Sequence, residues 1–279
     1  MRGIDVSNWQ QSIYLPAMPI DFAIAKASEG LGYRDPAYTR FASDCLEHSI
    51  PFGAYHFARE NSPEQEARYF YSQIMDEVGY IIPVLDYETS NRDNVDWCER
   101  FMMEFHDYAD VWPWLYISAS RCGEYADSWI PDTCKLWLAG YPYPATEWTH
   151  TGCPYNCWPW NFDNMVMWQF TSSLILPGYN GRLDGDIAYI GKEEWNAFAK
   201  GDDLEMVTDS DIEKIAQRVW EYTYQHDGMH DTVIQDLQGI PDSECNSNRY
   251  NVLNQDYANT VDTIKKLDEI IELLRNIAE

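Results

Sequence analysis

The chain has 279 residues, of which 45% are hydrophobic and 15% aromatic, so it can bury a substantial core and is not a disordered polymer. Its formal net charge of −27 argues against nucleic acid and against an anionic membrane surface as partners. Its 12 Trp and 20 Tyr residues are an excess typical of proteins that bind neutral sugar rings, although core packing accounts for most of them.

The N-terminal residues 1–5 continue directly into a predicted strand. They show no charged region followed by an apolar one, and no apolar run in the chain reaches about 18 residues. We therefore expect neither a signal peptide nor a transmembrane helix.

Eight short apolar runs predict β-strands, and helical patterns separate the early ones. Nearly continuous apolar sequence is typical of parallel strands that are covered on both faces. The predicted strands span residues 3–7, 22–28, 51–58, 80–88, 113–118, 136–141, 165–171 and 183–189. The predicted helices span residues 35–49, which open with Asp-Pro, residues 62–77, which open with Ser-Pro, and residues 91–109.

Alternating strands and helices form right-handed βαβ units around a parallel sheet, and eight strands suggest closure into a barrel. Residues 142–164, however, are rich in Pro, Trp and Asn without helical periodicity, and the interval 171–183 is too short for a good helix. We therefore predict an α/β fold over residues 1–200, an irregular TIM-like barrel whose last three strands lack covering helices.

Residues 201–279 have a different composition and predict a small acidic α-helical C-terminal module. This segment carries 18 acidic and 6 basic side chains. Its last predicted helix follows the a/d pattern of a coiled coil with Ile264, Leu267, Ile271, Leu274 and Ala278. About three heptads are short for an autonomous coiled coil, so the module either packs within the chain or forms a homo-oligomer.

The seven cysteines are scattered and odd in number, which does not indicate a secreted disulfide framework. The tightest cluster is His150, Cys153 and Cys157, which lacks a second Cys/His pair at zinc spacing. We therefore expect no metal here, and either a loop disulfide between Cys153 and Cys157 or two free thiols.

The apolar run IIPVLDYET ends in two carboxylic acids, Asp86 and Glu88. Residues i and i+2 of a strand lie on one side, about 6.5 to 7 Å apart, so both carboxyl groups emerge together at the strand end. Like charges held this close push their pKa values apart, which supplies both an acid and a base. Asp5, Asp184 and Asp186 are expected at the same barrel mouth. Several carboxylates at one mouth predict a catalytic site.

Eight sequence blocks, in order, are similar to glycoside hydrolase family 25, the Chalaropsis-type lysozymes. The blocks are DVSNWQ, AIAKASEG, GAYHFAR, PVLDYE, LYIS, LWLAGY, MWQFTSS and GYNGRLDGD, and the similarity runs from about residue 3 to residue 190. The resemblance implies a (β/α)5(β)3 barrel. It also implies an N-acetylmuramidase that cleaves the β-1,4 bond between N-acetylmuramic acid and N-acetylglucosamine in peptidoglycan, without a cofactor.

The resemblance also implies roles for particular residues. Glu88 resembles the family's general acid, and Asp86, Asp5 and Asp184 match its other acidic positions in the cleft. Asp186 is left out of this set because the family more often has Asn there. The implied substrate-binding residues are Tyr55, Tyr116, Trp137, Tyr141, Trp168, Gln169, Lys26 and Glu29. For both tryptophans, packing within the barrel is an equally weighted alternative.

Sugar hydrolysis requires one protonated carboxylic acid and one charged carboxylate. With Asp86, Asp5 and Asp184 ionised nearby, we expect Glu88 to keep its proton near neutral pH. We expect Asp86 to orient or stabilise the substrate's N-acetyl group, with net retention. The spacing from sequence leaves open the alternative in which Asp86 is a direct nucleophile.

Other function classes stay open from the sequence. Another barrel glycosidase, such as a chitinase or endo-glucosaminidase, also uses Asp-x-Glu but usually has a longer acidic run on that strand. A non-catalytic wall-binding protein would be expected to lack Glu88 or Asp86, and a structural protein with a vestigial barrel would not need the whole acidic set. The absence of a leader favours a phage-type endolysin, made in the cytoplasm and released to act on the wall, with residues 201–279 available for oligomerisation or wall targeting.

Overall fold

The computed structural model describes residues 1–59, 61–88 and 94–201. Within these residues the strands are β1 (Arg2–Val6), β2 (Phe22–Glu29), β3 (Tyr33–Arg34), β4 (Phe52–Phe57), β5 (Ile82–Asp86), β6 (Trp114–Ser118), β7 (Leu136–Ala139), β8 (Met165–Leu174) and β9 (Leu183–Ala188). The helices are α1 (Tyr38–Glu47), α2 (Pro63–Ile74), α3 (Val95–Ala109), α4 (Ile130–Thr133) and α5 (Lys192–Ala199).

Eight of these strands close into a barrel in the order β1, β2, β4, β5, β6, β7, β8 and β9, and β9 pairs back onto β1. Neighbouring strands are parallel from β1 to β8, whereas β9 is antiparallel to both β8 and β1. Short β3 pairs with β2 outside the ring. The predicted irregular α/β barrel and its eight strands are confirmed, and β3 is an addition that the sequence did not predict.

The early helices cover the outside of the barrel. Helices α1 and α2 both end earlier than predicted, α1 at Glu47 and not at residue 49, and α2 at Ile74 and not at residue 77. Helix α2 begins at Pro63, as expected. Helix α1 begins at Tyr38 and not at the predicted Asp35-Pro36 pair. The reason is that the Asp35 side chain binds backbone groups before the helix. Its carboxylate accepts from the backbone N–H groups of Ala37 and Asn8, both at 2.9 Å, and so fixes the turn before the helix. The predicted start of the third helix, residues 91–93, lies outside the described residues.

Helix α5, which the sequence analysis missed, closes the barrel end that lies opposite the carboxyl ends of the parallel strands. Its Trp195 is 0% exposed and packs on Phe22 and Trp114, with ring centroids at 5.0 and 5.5 Å. The indole N–H donates to the Phe52 carbonyl at 3.2 Å. Because these three partners begin β2, β6 and β4, α5 fills the amino-terminal end of the barrel and leaves the other end open.

Residues 142–164 contain no helix or strand, as the sequence predicted. Among them Trp148, His150 and Tyr155 pack on Trp168 and Phe170 of β8. Cys153 and Cys157 are free thiols in this segment, so the loop-disulfide alternative is wrong in this structure. The Cys157 thiol contacts both Cys153 and Cys122. Among the described residues, no group of His, Cys, Asp or Glu side chains is arranged to hold a metal ion.

The predicted C-terminal module, residues 201–279, lies outside the described residues apart from Gly201. Its helices, its oligomerisation and its role in wall targeting stay predictions. Within the described part of the chain, no helix combines the length and the apolar character that a bilayer span requires.

Candidate active site

The open end of the barrel carries a cleft of about 280 Å³. Parallel strands deliver their carboxyl-terminal residues to this end, which is where barrels of this type place functional groups. The cleft is lined by Asp5, Ser7, Trp9, Lys26, Tyr55, Phe57, Asp86, Glu88, Tyr116, Trp137, Tyr141, Gln169 and Asp184. All four predicted catalytic carboxyl groups therefore line one cleft.

The strand register explains how distant carboxyl groups meet. Asp5 near the end of β1 is paired directly with Asp184 near the start of β9. This pairing at the mouth is possible because β9 runs antiparallel to its neighbours and enters the barrel from the open end. Asp86 is the last residue of β5, and Glu88 follows two positions later.

Gln169 organises one wall of the cleft. Its amide nitrogen donates to Asp5 Oδ2 at 2.6 Å, and its amide oxygen accepts from the Tyr116 hydroxyl at 2.8 Å and from the Tyr141 hydroxyl. These contacts fix the amide orientation, because only the nitrogen can donate to a carboxylate. Gln169 thus connects a catalytic candidate on β1 to two aromatic side chains.

Asp86 is buried and has an oxygen without a partner. Its Oδ1 has no hydrogen-bond partner among the described residues. Burial, followed by the charges of Glu88 and Asp5, raises its pKa well above the ordinary value, and Lys26 acts in the opposite direction. A buried unpaired carboxylate oxygen is costly, so this atom is suited to receive an N–H or O–H group of a ligand.

Lys26 and Glu29, both predicted to bind substrate, lie at different depths. Lys26 lines the cleft, with its ammonium group 4.6 Å from the centroid of the Phe57 ring. Glu29 does not line the cleft but binds Lys26 and Arg59 as an ion pair with each. Glu29 therefore holds Lys26 in position, which is a different role from the predicted substrate contact.

The protonation of the carboxyl groups differs from the expectation that Asp86, Asp5 and Asp184 are all ionised. Burial, then the charge of Asp184, raises the pKa of Asp5 well above its ordinary value. Burial and the charge of Glu88 raise the pKa of Asp184 to about 6. Burial of the carboxyl groups disfavours their charged forms, so these side chains do not all carry full charge near neutral pH. Glu88 itself lies at the exposed rim.

Of the predicted aromatic residues, Tyr55, Tyr116, Trp137 and Tyr141 line the cleft. Trp168 does not. It is 0% exposed, donates to the Gly140 carbonyl at 2.7 Å and packs on His150 and Phe170 outside the barrel. The structure therefore does not bring Trp168 to the cleft, and Trp168 packs on the outer side of the barrel wall, whereas the alternative placed it within the barrel.

The sequence analysis missed three residues that line the cleft, Ser7, Trp9 and Phe57. Asp186, which it expected at the barrel mouth but left out of the catalytic set, lies buried behind the cleft. Trp9 is 83% exposed, although a Ser7–Gln10 capping box fixes the turn that carries it. A tryptophan four residues after Asp5, just beyond the end of a strand that carries a candidate catalytic acid, is a sequence signal that could have identified it.

Chemically, the cleft combines a rim carboxyl group with buried carboxyl groups of raised pKa and with aromatic faces. Carboxyl groups in contrasting environments can serve as a proton donor and as a charged stabiliser at the same pH. Aromatic faces beside hydrogen-bonding groups suit the alternating apolar and polar faces of sugar rings.

The chain is similar in sequence to one family of known proteins. Residues 4–179 match the family model described as Glycosyl hydrolases family 25. The autolytic lysozyme of Clostridium acetobutylicum is 28% identical over 149 residues, which cover 50% of this chain and 45% of that protein. The lysozyme of Streptococcus phage Cp-9 is 29% identical over 160 residues, covering 54% of this chain and 44% of that protein. The chain thus spans less than half the length of either relative.

Among solved structures, the bacterial lysozyme from Streptomyces coelicolor matches with a TM-score of 0.61 and 23% identity. The match covers 72% of this chain and 98% of that chain. At this identity the match supports the fold.

Proposed function

The chain belongs to glycosyl hydrolase family 25, and from this premise we propose that it is a muramidase acting on bacterial peptidoglycan. The proposed reaction is hydrolysis of the β-1,4 bond between N-acetylmuramic acid and N-acetylglucosamine. The observation that carries the proposal is the convergence of Asp5, Asp86, Glu88 and Asp184 on one cleft. The proposal requires no cofactor.

In the proposed reaction Glu88 protonates the departing glycosidic oxygen. Its exposed position at the rim supports this role, because the bond that breaks has to enter the cleft from outside. Asp86 is proposed to hold the N-acetyl group of the sugar. The unpartnered Oδ1 of Asp86 supports this role, since the N–H of an acetamido group would provide the missing hydrogen bond.

The substrate-binding surface is proposed to consist of Tyr55, Tyr116, Trp137 and Tyr141, with Gln169 and Lys26 as polar contacts. Their presence in the same cleft as the carboxyl groups supports this assignment. Glu29 is proposed to act through Lys26, and Trp168 is not included.

The central test replaces Glu88 by Gln and measures the release of reducing ends from purified peptidoglycan. We expect a loss of at least about 100-fold, because general acid catalysis contributes about 10²- to 10⁴-fold. Glu193→Gln is the matched control, since Glu193 is exposed in the first turn of α5 at the other end of the barrel, and it should keep full activity. Undiminished release by Glu88→Gln would refute the proposed role.

The same digest separates the two glycosidase classes that the sequence left open. After borohydride reduction, a muramidase yields products that end in reduced N-acetylmuramic acid, whereas an endo-glucosaminidase yields reduced N-acetylglucosamine. Mass spectrometry of the reduced products distinguishes them. Products ending in reduced N-acetylglucosamine would reassign the enzyme, and wall binding without any product would indicate a non-catalytic protein.

The role of Asp86 has a stereochemical consequence. If the substrate's own N-acetyl oxygen attacks the anomeric carbon while Asp86 holds the acetamido group, the first product has the retained anomeric configuration. Proton NMR of the first-formed anomer is the measurement. An inverted first product would eliminate both this role and the direct-nucleophile alternative.

We further propose that the enzyme is of the phage endolysin type. Its similarity to a lysozyme of Streptococcus phage Cp-9 supports this origin. An enzyme of this type, made in the bacterial cytoplasm, should lyse the cell only after the membrane is permeabilised. Lysis at the same rate without permeabilisation would contradict the proposal.

A further inference from the structure

Asp186 is an ionisable residue buried behind the cleft, and the proposed reaction gives it no role. Asp186 lies on β9, two residues after Asp184, and is 0% exposed. Its register partners are Gly3 on β1 and Gln169 on β8, so its carboxyl group lies between the strand that carries Asp5 and the residue that binds Asp5.

The two oxygens of Asp186 have different surroundings. The Trp137 indole N–H donates to Oδ1 at 2.9 Å. Oδ2 meets no N–H or O–H donor among the described residues. The Asp186 carboxyl group is instead within hydrogen-bonding distance of the Asp5 carboxyl group. Because two carboxylates cannot donate to each other, this contact is favourable only if one of them carries a proton.

The contacts indicate which of the two carboxyl groups holds that proton. Asp5 already accepts a hydrogen bond from Gln169 at 2.6 Å, which stabilises its charged form. Asp186 is more deeply buried than Asp5, and burial raises its pKa well above the ordinary value. Oδ2 of Asp186 is therefore the atom left to carry the proton and to donate it to Asp5.

The surroundings of the Asp5 and Asp186 carboxyl groups also favour one proton held between the two. Asp186 is faced by the uncharged side chains of Trp137 from β7 and Gln169 from β8. The charges that act most on the pair are those of Asp184 and Glu88, both acids. Asp86, Tyr55, Tyr116 and Tyr141 line the same cleft and are acids as well. Lys26 is the cation among the described residues of the cleft lining, but it forms an ion pair with Glu29 and acts on Asp86.

We propose that Asp186 is a positioning residue that stays protonated in the resting enzyme and donates a hydrogen bond that orients Asp5 in the cleft. The kinetic consequence of this inference rests on the proposed function, because the orientation of Asp5 can alter kcat only if the protein catalyses the reaction. Asp186 does not touch the cleft and acts through Asp5 alone.

The first experiment compares Asp186→Asn with Asp186→Leu. Asparagine is nearly isosteric with a protonated aspartate, and it can accept from Trp137 through oxygen and donate to Asp5 through nitrogen. We expect Asp186→Asn to keep kcat within about 3-fold of wild type. We expect Asp186→Leu to lower kcat about 10-fold or more with a smaller change in KM, because the lost hydrogen bond is to a charged group.

Two outcomes of this comparison would overturn the proposal. An Asn variant as impaired as the Leu variant would mean that Asp186 acts through negative charge. Two fully active variants would mean that Asp186 does not position Asp5.

The second experiment does not depend on activity and keeps the inference testable if the wild-type protein releases no reducing ends. A carboxyl group whose folded-state pKa is raised contributes stability that is present at low pH and lost as pH rises through the folded-state value. An asparagine side chain does not ionise, so the Asp186→Asn variant does not lose stability in this way as the pH rises. The melting temperature of Asp186→Asn minus that of wild type should therefore increase with pH above about 4.

The matched control is Asp163→Asn, which removes one exposed carboxylate and should give a difference that does not change with pH. A pH-independent difference for Asp186→Asn would overturn the shared proton. An inactive wild type with a pH-dependent difference would refute the proposed function and leave the protonated Asp186 intact.

Discussion

At the scale of single residues, Asp184 connects the environment of the cleft to a measurable pH dependence. It lies at the start of β9, and burial together with the charge of Glu88 raises its pKa to about 6. A charged carboxylate stabilises the positive charge that develops on the sugar in the transition state. Because Asp184 gains a proton as the pH falls through about 6, this stabilisation is lost on the acid side.

We therefore expect wild-type kcat/KM to fall as the pH decreases through about 6. Asp184→Asn should lower kcat/KM at neutral pH about 10-fold or more and remove this inflection, since Asn cannot titrate. Initial rates on soluble peptidoglycan fragments across this pH range are the measurement. Asp163→Asn should keep the inflection, and its persistence in Asp184→Asn would assign it to another group.

The carboxyl groups could be predicted from sequence, whereas the direction of one tryptophan could not. Asp5 and Asp86 lie at or next to the carboxyl ends of parallel strands, which a barrel brings together. Asp184 lies near the start of β9 and reaches the same mouth because that strand is antiparallel to its neighbours. Trp168 and Gln169 are successive residues of one strand, so only one of them can face the cleft. Because β8 is buried on both faces, its nearly unbroken apolar sequence does not indicate which one does.

At the scale of elements, α5 closes the amino-terminal end of the barrel with the side chain of Trp195. Replacing Trp195 by Ala should lower the free energy of unfolding by about 3 to 5 kcal/mol, the usual cost of removing a buried aromatic ring. Urea unfolding of the purified variant is the measurement. Trp158→Ala is the control, because Trp158 is 62% exposed and its loss should cost little. A loss of less than about 1 kcal/mol in the free energy of unfolding for Trp195→Ala would contradict the role of Trp195 in closing the barrel end.

This helix was missed because its sequence, KEEWNAFA, has few buried positions. Within α5 only Trp195 and Ala199 are buried, so the short helix lacks a repeated apolar stripe. Helix α1 illustrates a related difficulty. The Asp-Pro pair before it favours a helix start, but Asp35 is recruited by the backbone of Asn8, a long-range contact that no local pattern contains.

At the scale of the whole molecule, the net charge of −27 opposes approach to an anionic cell wall. The screening length falls from about 30 Å at 0.01 M to about 8 Å at 0.15 M ionic strength. We therefore expect wall clearing to stay constant or to increase between these conditions. Turbidity measurements on purified walls test this expectation. Short soluble peptidoglycan fragments, which carry few charges, are the control, and their hydrolysis should depend less on salt. A steep decrease with salt would mean that attraction between opposite charges brings the enzyme to the wall.

The closure of the ring between β1 and β9 has a consequence for biosynthesis. Asp5 emerges from the ribosome about 180 residues before Asp184 and Asp186, the residues of β9 that complete its surroundings. Nascent chains and fragments that end before β9 therefore lack a side of the cleft, however well their earlier strands have folded. A hydrolase built this way acquires its chemistry in a single late step, and incomplete translation products should be inert.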